Sequence, residues 1–367
     1  MQIVAVRAIP FAIPYRKPLH FASGSIDVAD NVLVEVETND GIVGFAEAPP
    51  RPYTYGETQV SIVGVINSLF APAVVGESVL ARERVRAKLA RTVGNPTAKS
   101  AIDMAMWDAW GKTIGQPVHQ LLGGYTNHLR VSHMLGFDDP AAMAEEALRM
   151  RDEFGIMSFK VKVGRVPIDR DIAVCRAIRE ALGNEAEMYL DGNRGWSASQ
   201  AARALRELAD VNLSRVEELC PADDVIGRRW LVQQSPIPFV ADESATTPAD
   251  VTRELLSGAA TAISIKTART GFSDSLRVAH LAEGLGVETA IGNQIDGQIG
   301  TACSLAFGAS QRTTAKQAAE LSNYLDMADD LLTEPLEIAD GLMSVRPEPG
   351  LGIAIDPKKL EYYRKDR

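Results

Sequence analysis

Three carboxylates, Asp191 in YLDGN, Glu217 in RVEEL and Asp242 in VADES, are separated by 26 and 25 residues, with Lys160 and Lys162 upstream and Lys266 downstream. An all-carboxylate donor set without His or Cys selects a hard cation, Mg2+ first and Mn2+ second, and disfavours zinc. Ammonium groups on both sides of such a cation suit the removal or delivery of a proton next to a carboxylate while the cation holds the resulting enolate. Each acid alone also reads as structure, DGN as a turn and ADES as a helix N-cap through Ser244. Three in register carry the metal reading.

Lys160 and Lys162 are two apart on a predicted strand, so both side chains point to one face. A lysine inside a barrel is costly to bury without a partner or a catalytic role. Each ammonium lowers the pKa of its neighbour, and the cation does the same, which makes Lys162 the expected base and Lys160 its electrostatic helper. Lys266 ends a strand across the barrel and is placed to reach the opposite face of a bound carboxylate. Asp296, in GNQIDGQIG, reads equally as an orienting partner of Lys266 and as an ordinary turn aspartate.

These residues need a frame that brings strand ends together. Residues 2–14 are rich in Val, Ile and Ala, and NVLVEVETNDGIVGFAEA alternates around Asn39-Asp40-Gly41, the signal of a hairpin. From Glu57 to Gly123 the pattern is helical, with Ile102, Met106 and Trp110 on one face. A βα rhythm follows, with candidate strands at 131–135, 158–163, 187–191, 214–218, 239–243, 262–266, 287–292 and, weakly, 319–323. Eight such strands close a barrel whose chemistry gathers at their carboxyl ends. An open doubly wound sheet shares the alternation but lacks here a glycine-rich phosphate fingerprint. The glycine- and proline-containing EIADGLMSVRPEPGLGIAID is expected to return to the first domain. The expected division is 1–124 for a cap, 125–325 for the barrel and 326–367 for the returning segment.

The net charge of −10 and dispersed Lys and Arg argue against nucleic acid as a partner and leave a small ligand. Cys175, Cys220 and Cys303 have neither zinc nor disulfide spacing and read as buried thiols. Without a leader pattern or a long apolar run, no membrane partner and a cytoplasmic location are expected. The five histidines lack metal spacing. No Gly-x-Ser-x-Gly elbow or P-loop supports acyl or phosphoryl transfer.

The chain resembles the enolase superfamily, in particular its muconate lactonizing enzyme (muconate cycloisomerase) subgroup, through TNDGIVGFAEA, AIDMAMWDAWGKTIGQPVHQLLGG, FKVKVG, YLDGNRGWS, ADES, SIKTARTGF, GNQIDGQIGT and PGLGIAID. The resemblance implies an α/β fold, a modified TIM (β/α)7β-type barrel with an α+β cap built from both chain ends. It implies Asp191, Glu217 and Asp242 as ligands of Mg2+ or Mn2+, Lys160 and Lys162 as a KxK motif, Lys266 as the opposing lysine and Asp296 at a position where relatives carry an acid. The loops PYRKPLHFASG and PPRPYTYGET match those that cover substrate, which makes His20, Phe21, Tyr53 and Tyr55 substrate-binding candidates, together with His133, Asn193 and Gln294. Two departures, Glu218-Leu219 where relatives have proline after the ligand, and Gly271-Phe272 where a double glycine is common, are expected to bear on specificity.

The first functional expectation is cycloisomerisation of the small dicarboxylate cis,cis-muconate to muconolactone. The second is an N-succinylamino acid racemase, o-succinylbenzoate synthase or dipeptide epimerase. Dipeptide epimerases typically carry Asp-x-Asp at the eighth strand, where this chain reads Glu320-Leu321-Ser322-Asn323. A catalytically dead barrel is disfavoured by retention of all six groups. By family analogy a homo-oligomer, often an octamer, is implied.

Overall fold

The computed structural model describes residues 1–21 and 24–366; the side chain of Phe21 is outside the described set. Strands β1 (Ile3–Phe21), β2 (Gly24–Thr38) and β3 (Val43–Ala48) form an antiparallel sheet in the order β1-β2-β3. Helices α1 (Gln59–Val65), α2 (Ala71–Val74), α3 (Arg82–Leu89), α4 (Pro96–Ile114) and α5 (Val118–Leu122) follow. A single π-helical turn at Ile66–Phe70 interrupts the first helical run. Helix α4 packs directly on β3: a Cβ at Gly44 would overlap the Ala105 carbonyl and approach the Ala109 nitrogen to 2.6 Å. Buried Asp108 on α4 accepts from Phe45 N and Leu351 N, both at 2.7 Å, and so ties sheet, helix and C-terminal segment together.

The barrel alternates β4 (His128–Leu135), α6 (Pro140–Phe154), β5 (Ser158–Lys162), α7 (Asp169–Leu182), β6 (Glu187–Asp191), α8 (Ala198–Glu207), β7 (Val216–Glu217), α9 (Val225–Gln234), β8 (Phe239–Ala241), α10 (Pro248–Ser257), β9 (Ala262–Ile265), α11 (Thr267–Leu285), β10 (Glu288–Ile291), α12 (Gln298–Ser310) and β11 (Ala319–Glu320). Local chemistry sets several starts. Asp139 caps α6 by accepting from Ala141 N and Ala142 N at 3.0 Å, and Ser197 with Gln200, and Thr247 with Asp250, form capping boxes on α8 and α10. Ser244 is therefore not the cap of α10.

Parallel ladders run β10-β9-β8-β7-β6-β5-β4-β11, and β10 and β11 meet without a ladder, so the eight-stranded barrel is nearly closed. Each strand expected from the sequence overlaps one of these, including the weak one at 319–323, which survives as two residues. The C-terminal segment divides its contacts. Strand β12 (Leu342–Ser344) pairs antiparallel with β4 of the barrel, whereas Arg364, just after α13 (Pro357–Tyr363), bridges to Phe11 of β1.

Candidate active site

Strand β5 is buried along its whole length, as helices cover the outside of a parallel barrel and side chains fill the inside. Phe159 and Val161 are fully buried toward the helices. Lys160 and Lys162 take the other face and point inward, as strand alternation requires. Asp191 is the Cα partner of both Lys162 on one side and Glu217 on the other, and Asp242 directly follows β8, so the three acids stand at neighbouring strand ends.

In this arrangement the ammoniums occupy the carboxylates. Lys160 Nζ lies 2.9 Å from Glu217 Oε1, 3.0 Å from Asp191 Oδ2 and 2.7 Å from Glu320 Oε1. Lys162 donates to Asp191 Oδ2 and Asn193 Oδ1, both at 2.6 Å. Lys266 Nζ is 2.5 Å from Asp242 Oδ2, and Arg269 Nη1 is 2.5 Å from Asp242 Oδ1.

The expected downward pull on the lysines is reversed here for two of them. Burial opposes the charge of Lys160, but Asp191, Glu217 and Glu320 outweigh it and hold this ammonium well above its ordinary range. Lys266 is likewise raised, burial being outweighed by Asp242. Among the acids, burial is overcome by Lys160 and Lys162 at Asp191 and by Lys266 and Arg269 at Asp242, so both are lowered. Glu217 goes the other way, pushed well up by burial and by Asp191, Asp242 and Glu320, against the opposing pull of Lys160.

That repulsion among three buried carboxylates is what a divalent cation relieves, and their oxygen chemistry and strand-end placement fit a hard one. As the side chains stand, no group of three or more His, Cys, Asp or Glu among the described residues is disposed to hold an ion. The lysines stand where competing counter-charge is needed.

Lys160, Lys162, Lys266, Asn193 and Gln294 line one small cavity of about 30 Å³, joined by Tyr55, Arg51, Glu243 and Glu320. Other candidates are elsewhere. His133 is 1% exposed and bonded to Ser322 Oγ at 2.9 Å and Glu146 Oε1 at 3.1 Å; alternation along β4 turns it away from the cavity that its neighbour Met134 lines. His20 lines a separate recess with Lys17 and Phe137. Tyr53 is exposed and borders a larger adjoining cavity, and Phe21 falls outside the described side chains. Asp296 does not pair with Lys266; it accepts from Asn293 Nδ2 at 3.2 Å and its Oδ1 has no partner.

Four charged residues lie outside the site that the sequence alone selects. Arg269 follows Lys266 by three positions, one helical turn, which is a signal that could have found it. Glu320 ends the weak eighth strand. Glu243 accepts from Asn193 Nδ2 at 3.1 Å. Glu218 uses Oε2 to accept from Asp242 N at 2.8 Å, Ser244 N at 3.1 Å and Ser244 Oγ at 2.9 Å, so this departure fixes the loop that carries Asp242. The other departure, Phe272, is fully buried between Trp107 and Phe307. At both positions the side chain acts locally, Glu218 through hydrogen bonds to the Asp242 loop and Phe272 through aromatic packing.

Residues 3–123 match the model of the mandelate racemase / muconate lactonizing enzyme N-terminal domain, and 142–359 match the enolase C-terminal domain-like model. A muconate lactonizing enzyme from Mycobacterium smegmatis, solved with muconolactone, is 63% identical with a TM-score of 0.99 over 100% of both chains. Muconate cycloisomerase 1 of Pseudomonas putida is 33% identical over 95% of this chain and 94% of its own. A dipeptide epimerase from Enterococcus faecalis, solved with Mg and the dipeptide L-Leu-L-Tyr, is 30% identical with a TM-score of 0.92, covering 96% of this chain and 100% of that one. With both halves matched and these likenesses spanning nearly the whole chain, the protein belongs to the mandelate racemase / muconate lactonizing enzyme family of the enolase superfamily.

Proposed function

We propose that this protein is a muconate cycloisomerase, an isomerase that converts cis,cis-muconate to muconolactone. The observation that carries this reading is the whole-chain likeness, at 63% identity, to the muconate lactonizing enzyme solved with muconolactone. The reaction adds an oxygen of one carboxylate to the carbon β to the other; the C–O bond forms as the double bond's electron pair moves toward that second carboxylate, and a proton closes the sequence at the α carbon. Nothing is lost or gained overall beyond that proton.

Asp191, Glu217 and Asp242 would hold a divalent cation, Mg2+ or Mn2+, which supplies Lewis-acid stabilisation of negative charge on the reacting carboxylate. Lys162 and Lys266 are the candidate proton carriers, both lining the cavity from different strands. Lys160, bound to three acids, supplies fixed positive charge. Asn193 orients Lys162 through the 2.6 Å bond to its Oδ1. Asp296, buried in the β10 loop, adjusts the field at Lys266 without touching it. Gln294 ties the barrel loop to the cap, donating to Pro49 O at 2.9 Å.

The same reading takes residues 1–124 as the cap, 125–325 as the catalytic barrel and 326–367 as the returning segment, in a cytoplasmic homo-oligomer. No helix of the described residues is long and apolar enough to cross a membrane. The deciding experiment follows loss of diene absorbance with muconate and Mg2+ or Mn2+. Absent turnover, combined with racemisation of N-succinylamino acids or epimerisation of dipeptides, would replace this reading with a proton-transfer relative.

A further inference from the structure

The cavity around the lysines, about 30 Å³, has room for little more than a water molecule. A six-carbon diacid with one end there must extend beyond it. The adjoining cavity, about 400 Å³, is large enough for a small ligand. Arg51, Thr54, Gln294 and Ile295 line both.

Arg51 is the one cation among the described residues lining the larger cavity, and Asp30, exposed to solvent, is its one anion. The backbone of Arg51 is fixed, since its carbonyl accepts from Thr54 N at 3.1 Å and Tyr55 N at 2.8 Å. Tyr15 lines the same cavity, is 7% exposed, and its buried hydroxyl has no hydrogen-bond partner. Such an orphaned donor is costly to leave unmet. Burial first, then Glu47 and Asp326, keep this phenol protonated. Glu47 itself is engaged by Gly297 N at 3.0 Å and Gly300 N at 2.8 Å. Ile295, at the boundary of the two cavities, holds φ at 65°, a left-handed conformation costly for a β-branched residue and often kept where function needs it.

We propose that Arg51 and the Tyr15 hydroxyl form a subsite for the second carboxylate of a dicarboxylate whose first carboxylate lies among the lysines. The inference rests on the functional reading above and names how the diacid is distinguished from a monoacid. The guanidinium supplies charge and paired donors, the phenol a neutral donor, and the apolar walls from Pro49, Pro50 and Ile295 exclude water around the chain between the two ends.

The test measures binding of adipate and hexanoate, unreactive six-carbon diacid and monoacid probes, to the Mg2+-loaded protein by calorimetry. The wild type is expected to favour adipate by roughly tenfold or more, the effect of one charge-assisted hydrogen bond. Arg51→Gln should weaken adipate far more than hexanoate and so abolish that preference, and Tyr15→Phe should reduce it about threefold to tenfold. Arg51→Lys keeps the charge, retains part of the preference, and serves if the glutamine variant fails to fold. No preference in the wild type, or an undiminished one in a folded Arg51→Gln protein, overturns the subsite. If adipate preference depends on Arg51 while muconate is not turned over, the catalytic reading fails and the subsite stands.

Discussion

Tyr55 of the covering loop lies with its hydroxyl 2.7 Å from Nη1 of Arg269, the same nitrogen that holds Oδ1 of Asp242. The cap is thereby joined through one buried guanidinium to an acid at the centre of the barrel mouth. Arg269 also donates to Ser264 O at 2.9 Å, which anchors it to β9 independently of the loop. Loop position and carboxylate position are coupled by geometry.

Arg269→Met should therefore lower stability by about 3–5 kcal/mol, because one oxygen of a buried carboxylate and nearby carbonyls lose their donor. Tyr55→Phe removes only the outer link and should cost about 1 kcal/mol. Urea unfolding separates the two. Equal small losses would show that Asp242 is held by Lys266 alone.

Glu217 is pushed well above its ordinary range by burial and its acidic neighbours. Burial and the neighbouring acids disfavour charge at this position, a cost that a neutral glutamine does not carry. Glu217→Gln should keep the thermal stability of the metal-free protein but lose the rise in Tm that saturating Mg2+ or Mn2+ gives the wild type. At a hundredfold excess over Kd that rise corresponds to about 2.7 kcal/mol. A wild-type Tm indifferent to these cations and to chelator would remove the metal role.

Asp296 is raised from 3.8 to about 7 by burial first and by Glu47 second. Between these values the folded state keeps a proton that the unfolded chain has released. Stability attributable to this residue is thus present below about pH 4 and falls as pH rises toward 7. The full change corresponds to about 4 kcal/mol. Asp296→Asn should flatten the decline between about pH 4 and 7 and unfold at higher temperature than the wild type at about pH 8. An unchanged slope in thermal melts would place the decline on other groups.

Barrel and acids were legible because their signals are local: short apolar runs at regular intervals, several of them ending at or beside a charged residue. The partners of those acids were less so. Asp191 is shared between Lys160 and Lys162 through the register of β5 on β6, and Glu320 completes the shell of Lys160 because barrel curvature brings β11 beside β4, a relation no spacing records. His133, a substrate-binding candidate from the sequence, is turned away from the cavity by parity along β4. The direction of the lysine shifts was hidden too, since the acids that dominate the field come from distant strands.

The lysines should separate by what each leaves behind. Lys160→Met removes the ammonium from Glu217 and Glu320 and leaves Asp191 to Lys162 alone, so it should cost the metal-free protein the most, at least the roughly 3–5 kcal/mol of a broken buried pair. Lys162→Met leaves Asp191 still paired with Lys160, and Lys266→Met leaves Asp242 still paired with Arg269, so both should fold with smaller losses. Their cost should instead appear in kcat, by about 10² to 10⁴ for whichever lysine carries the proton. Turnover in deuterium oxide with the product resolved by NMR reads the outcome on the α carbon. If Lys162 delivers the proton, its methionine variant loses deuterium incorporation while Lys266→Met retains slow, stereospecific labelling. If Lys266 delivers it, the pattern inverts. Full activity in both variants would leave proton delivery to neither lysine, because no other ammonium among the described residues lines that cavity except Lys160, which its three acids hold charged.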